Sequence, residues 1–532
     1  MRRRDLLKAG FGAAAVLGMP ALVRARTETT LVVAPTADLV VLDPVVTFNR
    51  QTRNYAYLVF DTLYGLDTEW RAQPQMVAGH EVGNDGRTWL LRLRDGLRFH
   101  DGEPVLAQDV IASIRRFSAK IPFVSALMNA TDELSAPDNH TVKFRLKRPF
   151  PHLPMALAGP GGTVPAIMPE RLAAGSPHQP VKEVVGSGPF RFLKDEHVSG
   201  AKAAFARFDR YRPRDAGGAG GAPGFTSGPK VAHFERVEFL TLDPFSAQGA
   251  LSRGEIDWWE SPSRDLADQV GRDPNVTLVS HYMPAMGIMR FNQLHPPFDK
   301  AVARRALLNI VDQAEAMTVV AGTDSANWND GIGLFSRGTP LANDAGIEVL
   351  RRPRDPAAAK KGLAAAGYGG EKIVVIAPTE LAGIRALSLV GADQMRRAGL
   401  NVDLQEMDFG TVVKRRTSQG PPDKGGWNVF FTMIDRSIPN IHPFGNPALR
   451  TDGKAAYDGW PESFKIEELR RSWLNAGDIA TERRIAADLQ KQAWIDVPFI
   501  PMGEYWQTTA YRKDITGAIP GCFTVFYNVK RA

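Results

Sequence analysis

Helix and strand signals alternate along the second half of the sequence, and this alternation constrains the fold more than any other feature. Asp355-Pro356 followed by Gly367 predicts one helix, with an Asp cap, a Pro in the first turn and a Gly stop. Gly399 ends the next predicted helix, and residues 401–407 then alternate as a strand. Thr481-Glu482 opens a further helix. Helix followed by strand over short loops predicts an α/β, three-layer architecture.

The first half carries strand signals as well. Thr30–Ala34 predicts a strand, and residues 88–99 alternate apolar and basic side chains, which predicts an antiparallel strand pair with its turn at Asp95-Gly96. Residues 141–146 repeat the alternation, and residues 107–117 have apolar positions at helical spacing.

At 532 residues the chain is too long for a single hydrophobic core, so two or more lobes are expected. A helix after Asp299 is predicted to extend its apolar face from Val302 to Ala314. The single cysteine, Cys522, excludes an intramolecular disulfide.

The N-terminus predicts export. Three arginines at positions 2–4 precede an apolar run over residues 9–22, and Val23-Arg24-Ala25 offers a small-residue cleavage site. Residues 1–25 are therefore predicted to be a signal peptide, and the paired arginines resemble the twin-arginine signal, in preference to the general secretory route. No cysteine follows the apolar run, so the mature protein is expected to be free in the periplasm and not anchored to the membrane.

The charge of the chain argues against a nucleic-acid partner. Residues 1–25 hold five of the 65 lysines and arginines and one of the 58 acids, so the remainder carries a net charge of +3 rather than +7. Runs of five or six like charges are absent from the sequence, and the basic balance is that of a solvated surface.

The sequence lacks the motifs that catalysis requires. No two histidines are four residues apart, which excludes a zinc-binding HExxH helix, and Gly186-Ser187-Gly188 lacks the first glycine of a nucleophile turn. Gly331-Ile332-Gly333 lacks the third glycine of a dinucleotide loop, and Cys522 has no basic sequence neighbour. We therefore predict that the protein is not an enzyme and uses no cofactor or metal. An exported hydrolase or other enzyme on an α/β scaffold is the alternative.

Eight sequence blocks stand out along the chain, at residues 42–44, 60–63, 91–104 with 108–110, 186–190, 254–257, 304–307, 355–368 and 496–501. In this order they resemble the family 5 extracellular solute-binding proteins, the oligopeptide, dipeptide and nickel-binding group that serves ABC importers. Most of the blocks have structural roles, so they identify the family more than the solute.

The resemblance implies a two-lobed, periplasmic-binding-protein-like α/β fold of type II, of the large cluster C kind, with the ligand trapped between lobes joined by two crossing strands. Lobe I is expected over residues 26–280, with an inserted subdomain at about 71–185, and is completed by residues 505–532. Lobe II is expected over residues 281–504. Hinge closure on a ligand is a known mode of such receptors.

The resemblance also places candidate ligand contacts. Asp38 lies in the segment before the Leu42-Asp43-Pro44 block, and Trp328 and Trp506 fall where cleft-facing loops are expected. The segment from residue 427 to 439 matches a ligand-lining segment of the family, in which Asp435 occupies the position of an acid that pairs with a peptide's α-ammonium. The candidates in this segment are Trp427, Phe431, Met433, Asp435 and Arg436.

Arg436 follows this acid at a position where the family commonly has an aromatic residue, which leaves open whether the ligand is a peptide, a zwitterion or an acid. Alternatively, Asp435 and Arg436 form an ion pair with each other on the surface and contact no ligand. The function that the resemblance implies is capture of a small solute, such as a peptide or amino-acid derivative, by a monomeric receptor. Its partners would be the permease and ATPase of an inner-membrane ABC importer. A lipid carrier or chaperone-like protein with no transport role is a second alternative.

Overall fold

The computed structural model describes residues 28–47, 49–159, 163–216, 224–281, 283–434 and 441–532. The predicted signal peptide lies outside these ranges. The strands, in chain order, are β1 Thr30–Ala34, β2 Tyr64–Leu66, β3 Ala72–Pro74, β4 Val77–Val82, β5 Thr88–Leu93, β6 Thr131–Asp138, β7 Thr141–Leu146, β8 Phe190–Phe192, β9 Lys202–Arg207, β10 Arg236–Leu240, β11 Trp258–Trp259, β12 Val276–Ser280, β13 Ala285–Phe291, β14 Trp328–Asn329, β15 Lys372–Pro378, β16 Asn401–Met407, β17 Val429–Ile434, β18 Phe499–Tyr505, β19 Thr508–Arg512, β20 Ile515–Thr516 and β21 Lys530–Arg531.

The α-helices lie between these strands and cover the sheets. In chain order, they are α1 Arg50–Val59, α2 Ala107–Ser118, α3 Pro122–Ala130, α4 Leu153–Ala158, α5 Glu170–Ala173, α6 Pro244–Arg253, α7 Arg264–Val270, α8 Ala301–Leu307, α9 Gln313–Ala321, α10 Glu348–Arg351, α11 Pro356–Ala365, α12 Ala382–Arg397, α13 Phe409–Arg416, α14 Phe464–Leu474 and α15 Ile479–Asp496.

Two large mixed sheets organise the chain. A seven-stranded sheet has the order β12-β19-β11-β1-β10-β9-β8, and a six-stranded sheet has the order β14-β18-β13-β17-β15-β16. We call the part of the molecule built on each sheet the first lobe and the second lobe, respectively. The antiparallel sheet β4-β5-β7-β6 is inserted between β1 and β8 and carries α2 to α5 around it. We call it the inserted subdomain.

Each face of the seven-stranded sheet buries one alternate set of side chains from β1. Leu31 and Val33 point into the main core, which includes the apolar side of α1. Val32 and Ala34 point to the opposite face, where α6 and α7 cover the sheet. This period of two is what a strand buried on both faces requires.

Several predicted elements are confirmed. Strands form at Thr30–Ala34, Thr141–Leu146 and Asn401–Met407, and the Asp355 side chain caps α11 by accepting a hydrogen bond from the Ala358 N–H at 2.8 Å. The predicted helix at Thr481-Glu482 begins two residues earlier, because Asp478 provides the N-cap.

Two predicted elements are wrong. The strand pair expected over residues 88–99 is a single strand, β5, which pairs with β4 and β7 instead of with the residues after Asp95-Gly96. The helix expected to run from Val302 to Ala314 breaks after α8, because the Asp312 side chain caps a new helix at the Glu315 N–H, 2.9 Å away.

Candidate functional site

Two short, adjacent crossings connect the lobes. The chain leaves the seven-stranded sheet at Ser280 and enters the six-stranded sheet at Ala285, and it returns from Tyr505 to Thr508. The crossing strands pair with each other in both sheets, β12 with β19 and β13 with β18, both antiparallel. The His281 N–H donates a hydrogen bond to the Gln507 carbonyl at 2.9 Å between them. Paired crossings of this kind form a hinge, because few backbone angles need to change for the lobes to move.

The hinge fixes which edges of the sheets face each other. In the first lobe, β1 and β11 are parallel neighbours, and their carboxyl ends lie at the same edge as the hinge ends of β12 and β19. In the second lobe, the carboxyl ends of β15 and β17 lie at the edge where β13 begins and β18 ends. We call the space between these two edges the cleft.

The first lobe has a topological switch point at the cleft. The chain leaving β1 continues to α1 on one face of the sheet, whereas the chain leaving β11 continues to α7 on the other face. Loops that diverge in this way open a crevice at the carboxyl ends of the strands, where open α/β sheets bind their ligands.

Three polar residues meet in this crevice. Glu260 directly follows β11, and its Oε2 accepts hydrogen bonds from the Thr36 N–H at 3.0 Å and the Thr36 hydroxyl at 3.1 Å. The Asn54 side-chain amide donates to Oε1. Glu260 is only 4% exposed. Thr36 lies in the segment before the Leu42-Asp43-Pro44 block that the family resemblance marks as ligand-lining. Asn54 and Glu260 were not predicted from the sequence, although Glu260 lies three residues after the Gly254-Glu255-Ile256-Asp257 block.

Asp38, predicted to contact the ligand, lies in the loop after β1 at the same edge and is half-buried. Its Oδ2 accepts hydrogen bonds from the Gly200 N–H at 2.7 Å and the Ser199 hydroxyl at 3.3 Å. Asp38 thus ties the loop after β1 to the turn before β9, and a ligand contact by its carboxylate stays a prediction.

Trp328 and Trp506 lie together at the hinge. Trp328 pairs with Tyr505 in the sheet, and its indole N–H donates to the Gly322 carbonyl at 3.0 Å. Trp506 lies in the second crossing, where its backbone N–H donates to the Asn327 carbonyl at 2.9 Å. Both side chains are half-buried, and a ligand contact by either of them stays a prediction.

The segment beginning at residue 427 divides between core and cleft. Trp427 is fully buried two residues before β17, on the side away from the cleft, and its indole N–H donates to the Arg416 carbonyl at 3.1 Å. Phe431 packs so closely on α12 that a Cβ at Gly391 would lie 2.2 Å from its ring. Both aromatics fill the core, which corrects the ligand contacts expected of them. β17, which contains Phe431 and follows Trp427, is buried on both faces, and a strand of that kind has the same apolar character as a ligand-lining segment.

The cleft end of β17 is different. Met433, opposite Gly287 of β13, is half-buried near that end. Asp435 and Arg436 lie outside the described residues. The last described residue before them, Ile434, pairs with Met286 at the cleft edge.

A cavity of about 330 Å³ adjoins the hinge on the first-lobe side. Aromatic side chains of Trp258, Tyr511 and Phe523 line it together with His281 of the hinge and Thr509 of β19. An apolar lining with a few polar groups is typical of small-molecule sites.

A buried acid lies on the second-lobe side of the hinge. Glu504 is fully buried on β18, next to Tyr505, and its Oε1 accepts a hydrogen bond from the Asn329 side-chain amide at 2.8 Å. Burial raises the pKa of Glu504, because the surrounding protein solvates the charged form poorly.

The lobes also touch far from the hinge. Trp473 on α14 of the second lobe stacks on His152 of the inserted subdomain, with ring centroids 4.1 Å apart and planes 10° apart. Trp473 also stacks on His442 at 4.8 Å, and Phe123 of the inserted subdomain meets His442 edge-on at 5.0 Å. We call these four residues the inter-lobe stack. Burial lowers the pKa of His152 to about 4 and that of His442 to about 3, so both rings are neutral at pH 7.

Within the described ranges, no group of three or more His, Cys, Asp or Glu side chains is arranged to hold a metal ion. None of the helices described is both long and apolar enough to cross a bilayer.

The family of the chain follows from comparison with known proteins. A sequence model described as the bacterial extracellular solute-binding proteins, family 5 middle region, matches residues 71–455. A probable peptide ABC transporter periplasmic-binding protein of Sinorhizobium fredii strain NGR234 is 35% identical and covers 100% of this chain and 99% of its own. The glutathione-binding protein GsiB of Pectobacterium atrosepticum strain SCRI 1043 is 24% identical over 97% and 96% of the two chains.

Solved structures share the fold. The binding protein AgaA of A. tumefaciens R10, in complex with agropinic acid, superposes with a TM-score of 0.76 at 20% identity, over 94% of this chain and 99% of that one. A dipeptide-binding protein of Pseudoalteromonas sp. SM9913, in complex with Met-Leu, gives a TM-score of 0.76 at 17% identity, over 94% and 100%. The predicted two-lobed α/β fold is confirmed. The chain therefore belongs to family 5 of the bacterial extracellular solute-binding proteins, and its function is to bind a solute rather than to catalyse a reaction.

Proposed function

We propose that this protein captures a small solute in the cleft between its lobes and delivers it to the permease and ATPase of an ABC importer. The observation that carries the proposal is the hinge: two paired crossings join sheets whose ligand-binding edges face each other. A ligand that contacts both edges stabilises the closed state by its differential affinity for that state.

The domain division follows the sheets. We propose that lobe I comprises residues 26–280 and 505–532, with the inserted subdomain at about 71–185, and that lobe II comprises residues 281–504. The strands of the seven-stranded sheet fall within the first set and those of the six-stranded sheet within the second, with Tyr505 at the boundary.

The solute is proposed to be a peptide or another small amino compound. The two relatives compared above are named for peptide transport and for glutathione binding, and AgaA was solved with agropinic acid. In the cleft, Asp38, Trp328, Met433, Asp435, Arg436 and Trp506 remain the proposed contacts.

The experiment is a thermal-shift screen of the mature protein against dipeptides, amino acids, opines, sugars and organic acids. A ligand at about 100 times its dissociation constant is expected to stabilise the protein by about 2.7 kcal/mol. A screen in which every class fails, including peptides, would contradict the proposed function.

We further propose that the protein is exported by the twin-arginine route and works as a free monomer in the periplasm. Arg3 and Arg4 precede the apolar run of the predicted signal peptide. The double substitution Arg3→Lys/Arg4→Lys is expected to leave the precursor in the cytoplasm. Wild-type periplasmic levels of this variant would instead indicate the general secretory route.

A further inference from the structure

Glu260 is unusual among the buried acids of the described chain. Three others, Asp43, Asp61 and Asp257, form ion pairs with Arg116 at 2.6 Å, Lys230 at 2.8 Å and Arg531 at 3.2 Å, respectively. Pairing is the normal condition of a buried charge, because an unpaired one loses its hydration without compensation.

The described partners of Glu260 are all neutral. They are the backbone N–H and hydroxyl of Thr36 and the side-chain amide of Asn54, and no lysine, arginine or histidine within the described ranges forms an ion pair with its carboxylate. Glu504, the other buried acid without an ion pair there, differs because burial raises its pKa and favours its neutral form.

The hydrogen bonds leave room for one more donor. An ionised carboxylate has about four lone-pair positions, and the three described bonds occupy three of them. Both carboxylate oxygens of Glu260 accept at least one of these bonds. The basic neighbour Arg53 is directed elsewhere, with its guanidinium carbon 4.2 Å from the centroid of the Phe523 ring and its Nε donating to Asn54 Oδ1 at 3.4 Å.

The position of Glu260 points to a ligand as the missing cation. The residue directly follows β11, at the switch point where the loops after β1 and β11 diverge to opposite faces of the sheet. This is the crevice in which open α/β sheets bind small molecules, and it faces the cleft.

We propose that the Glu260 carboxylate binds a protonated amine of the solute. The solute is then a cationic or zwitterionic amine, and Thr36 and Asn54 are positioning residues for the carboxylate. This inference rests on the proposed function, since it assumes that the solute binds in the cleft. Thr36 and Asn54 hold the carboxylate in one orientation before the ligand arrives, so little ordering remains to be done on binding.

The test uses matched pairs of probes on the mature wild-type protein: dipeptides and amino acids, each with its N-acetylated derivative, together with sugars and organic acids that lack an amine. Binding is measured by calorimetry. Free amines are expected to bind, and N-acetylation of the best probe is expected to weaken binding about 10- to 100-fold, the effect of losing one charge-assisted hydrogen bond.

Two variants give the protein side of the test. Glu260→Gln keeps the shape of the side chain and is expected to weaken binding of the best probe by a similar factor. Glu255→Gln is the matched control, since Glu255 lies five residues away on the surface with Arg253 as its partner, and it should bind as the wild type does.

The outcomes separate the two proposals. Tight binding of a sugar or another solute without an amine, accompanied by lobe closure, would overturn the role of Glu260 and leave the receptor function intact. Equal affinity for a free amine and its N-acetyl derivative would also overturn it, even if Glu260→Gln failed to fold. Absence of binding by every probe would instead count against the proposed function itself.

Discussion

The inter-lobe stack offers a direct perturbation of closure, because it joins the lobes without touching the proposed ligand site. His152→Ala removes the stack on Trp473, with centroids 4.1 Å apart, and the hydrogen bond from His152 Nε2 to the Trp473 carbonyl at 3.0 Å. An aromatic stack contributes about 0.5–1.5 kcal/mol, and a hydrogen bond a similar amount. The closed state should therefore lose about 1–3 kcal/mol.

If the solute is bound only in the closed state, destabilising that state by a given free energy weakens the binding free energy of the solute by up to the same amount. His152→Ala is expected to weaken solute binding about 5- to 150-fold, measured by calorimetry on the ligand found in the screen. His140→Ala is the control, because His140 lies exposed on a turn of the same subdomain. Unchanged affinity and unchanged lobe separation in His152→Ala would refute the reasoning and reduce the stack to an incidental contact.

Further predictions concern groups in the first lobe and its inserted subdomain. Burial lowers the pKa of His100 from 6.5 to about 4, so the ring is neutral in the folded protein and its stabilising contribution is complete above pH 6.5 and is lost as the pH falls toward 4. The free energy of unfolding, measured with denaturant, should fall with decreasing pH less steeply in His100→Gln than in the wild type, by about 1.4 kcal/mol per pH unit between pH 6.5 and 4. The same pH dependence in both proteins would contradict a lowered pKa for His100. Burial acts to raise the pKa of Asp61, but the Lys230 ammonium, together with Arg94 and a hydrogen bond from the Thr62 N–H, outweighs burial and the pKa is lowered. Lys230→Met removes the ion-pair partner of the Asp61 carboxylate and should lower the free energy of unfolding by about 3–5 kcal/mol. Lys465→Met, which breaks the exposed pair with Glu468, should lower it by less than about 1 kcal/mol. Similar losses in the two variants would contradict the claim that burial makes the Lys230–Asp61 pair important.

Local signals predicted much of the fold, because they depend on short-range physics. The strands at Thr30–Ala34 and Thr141–Leu146 follow from alternation, and the helix after Asp355 follows from its cap. Two predictions failed, for different reasons. α8 ends at Leu307, and the side chain of Asp312 then caps a new helix, so two helices replace the single one expected. β5 pairs with strands from elsewhere in the chain instead of with the residues that follow it, and local alternation does not specify the partner strands.

Two family blocks have a structural role that only the fold reveals. The imidazole of His100 uses both nitrogens, with Nε2 3.0 Å from the Gly188 carbonyl and Nδ1 accepting from the Gly186 N–H at 3.4 Å. A Cβ at Gly186 would lie 2.0 Å from the Val59 carbonyl oxygen, so only glycine fits there. The two blocks therefore pack against each other, in agreement with the structural role predicted for them.

The candidate site was less accessible to sequence reasoning. Thr36 and Asn54 are 224 and 206 residues away from Glu260 in the sequence, and no local sequence pattern predicts hydrogen bonds over such separations. The ligand contacts predicted for Trp427 and Phe431 failed for a related reason. A strand buried on both faces and a ligand-lining segment both contain large apolar side chains, so the sequence does not distinguish them.

Lobe closure on a solute is the central claim, and small-angle scattering of the mature protein tests it most directly. The two crossings, from Ser280 to Ala285 and from Tyr505 to Thr508, are expected to let the lobes approach when the ligand contacts both edges of the cleft. Addition of a saturating ligand is predicted to reduce the radius of gyration of the wild-type protein. A ligand that binds stoichiometrically and leaves the radius unchanged would contradict the claim and place the site within a single lobe.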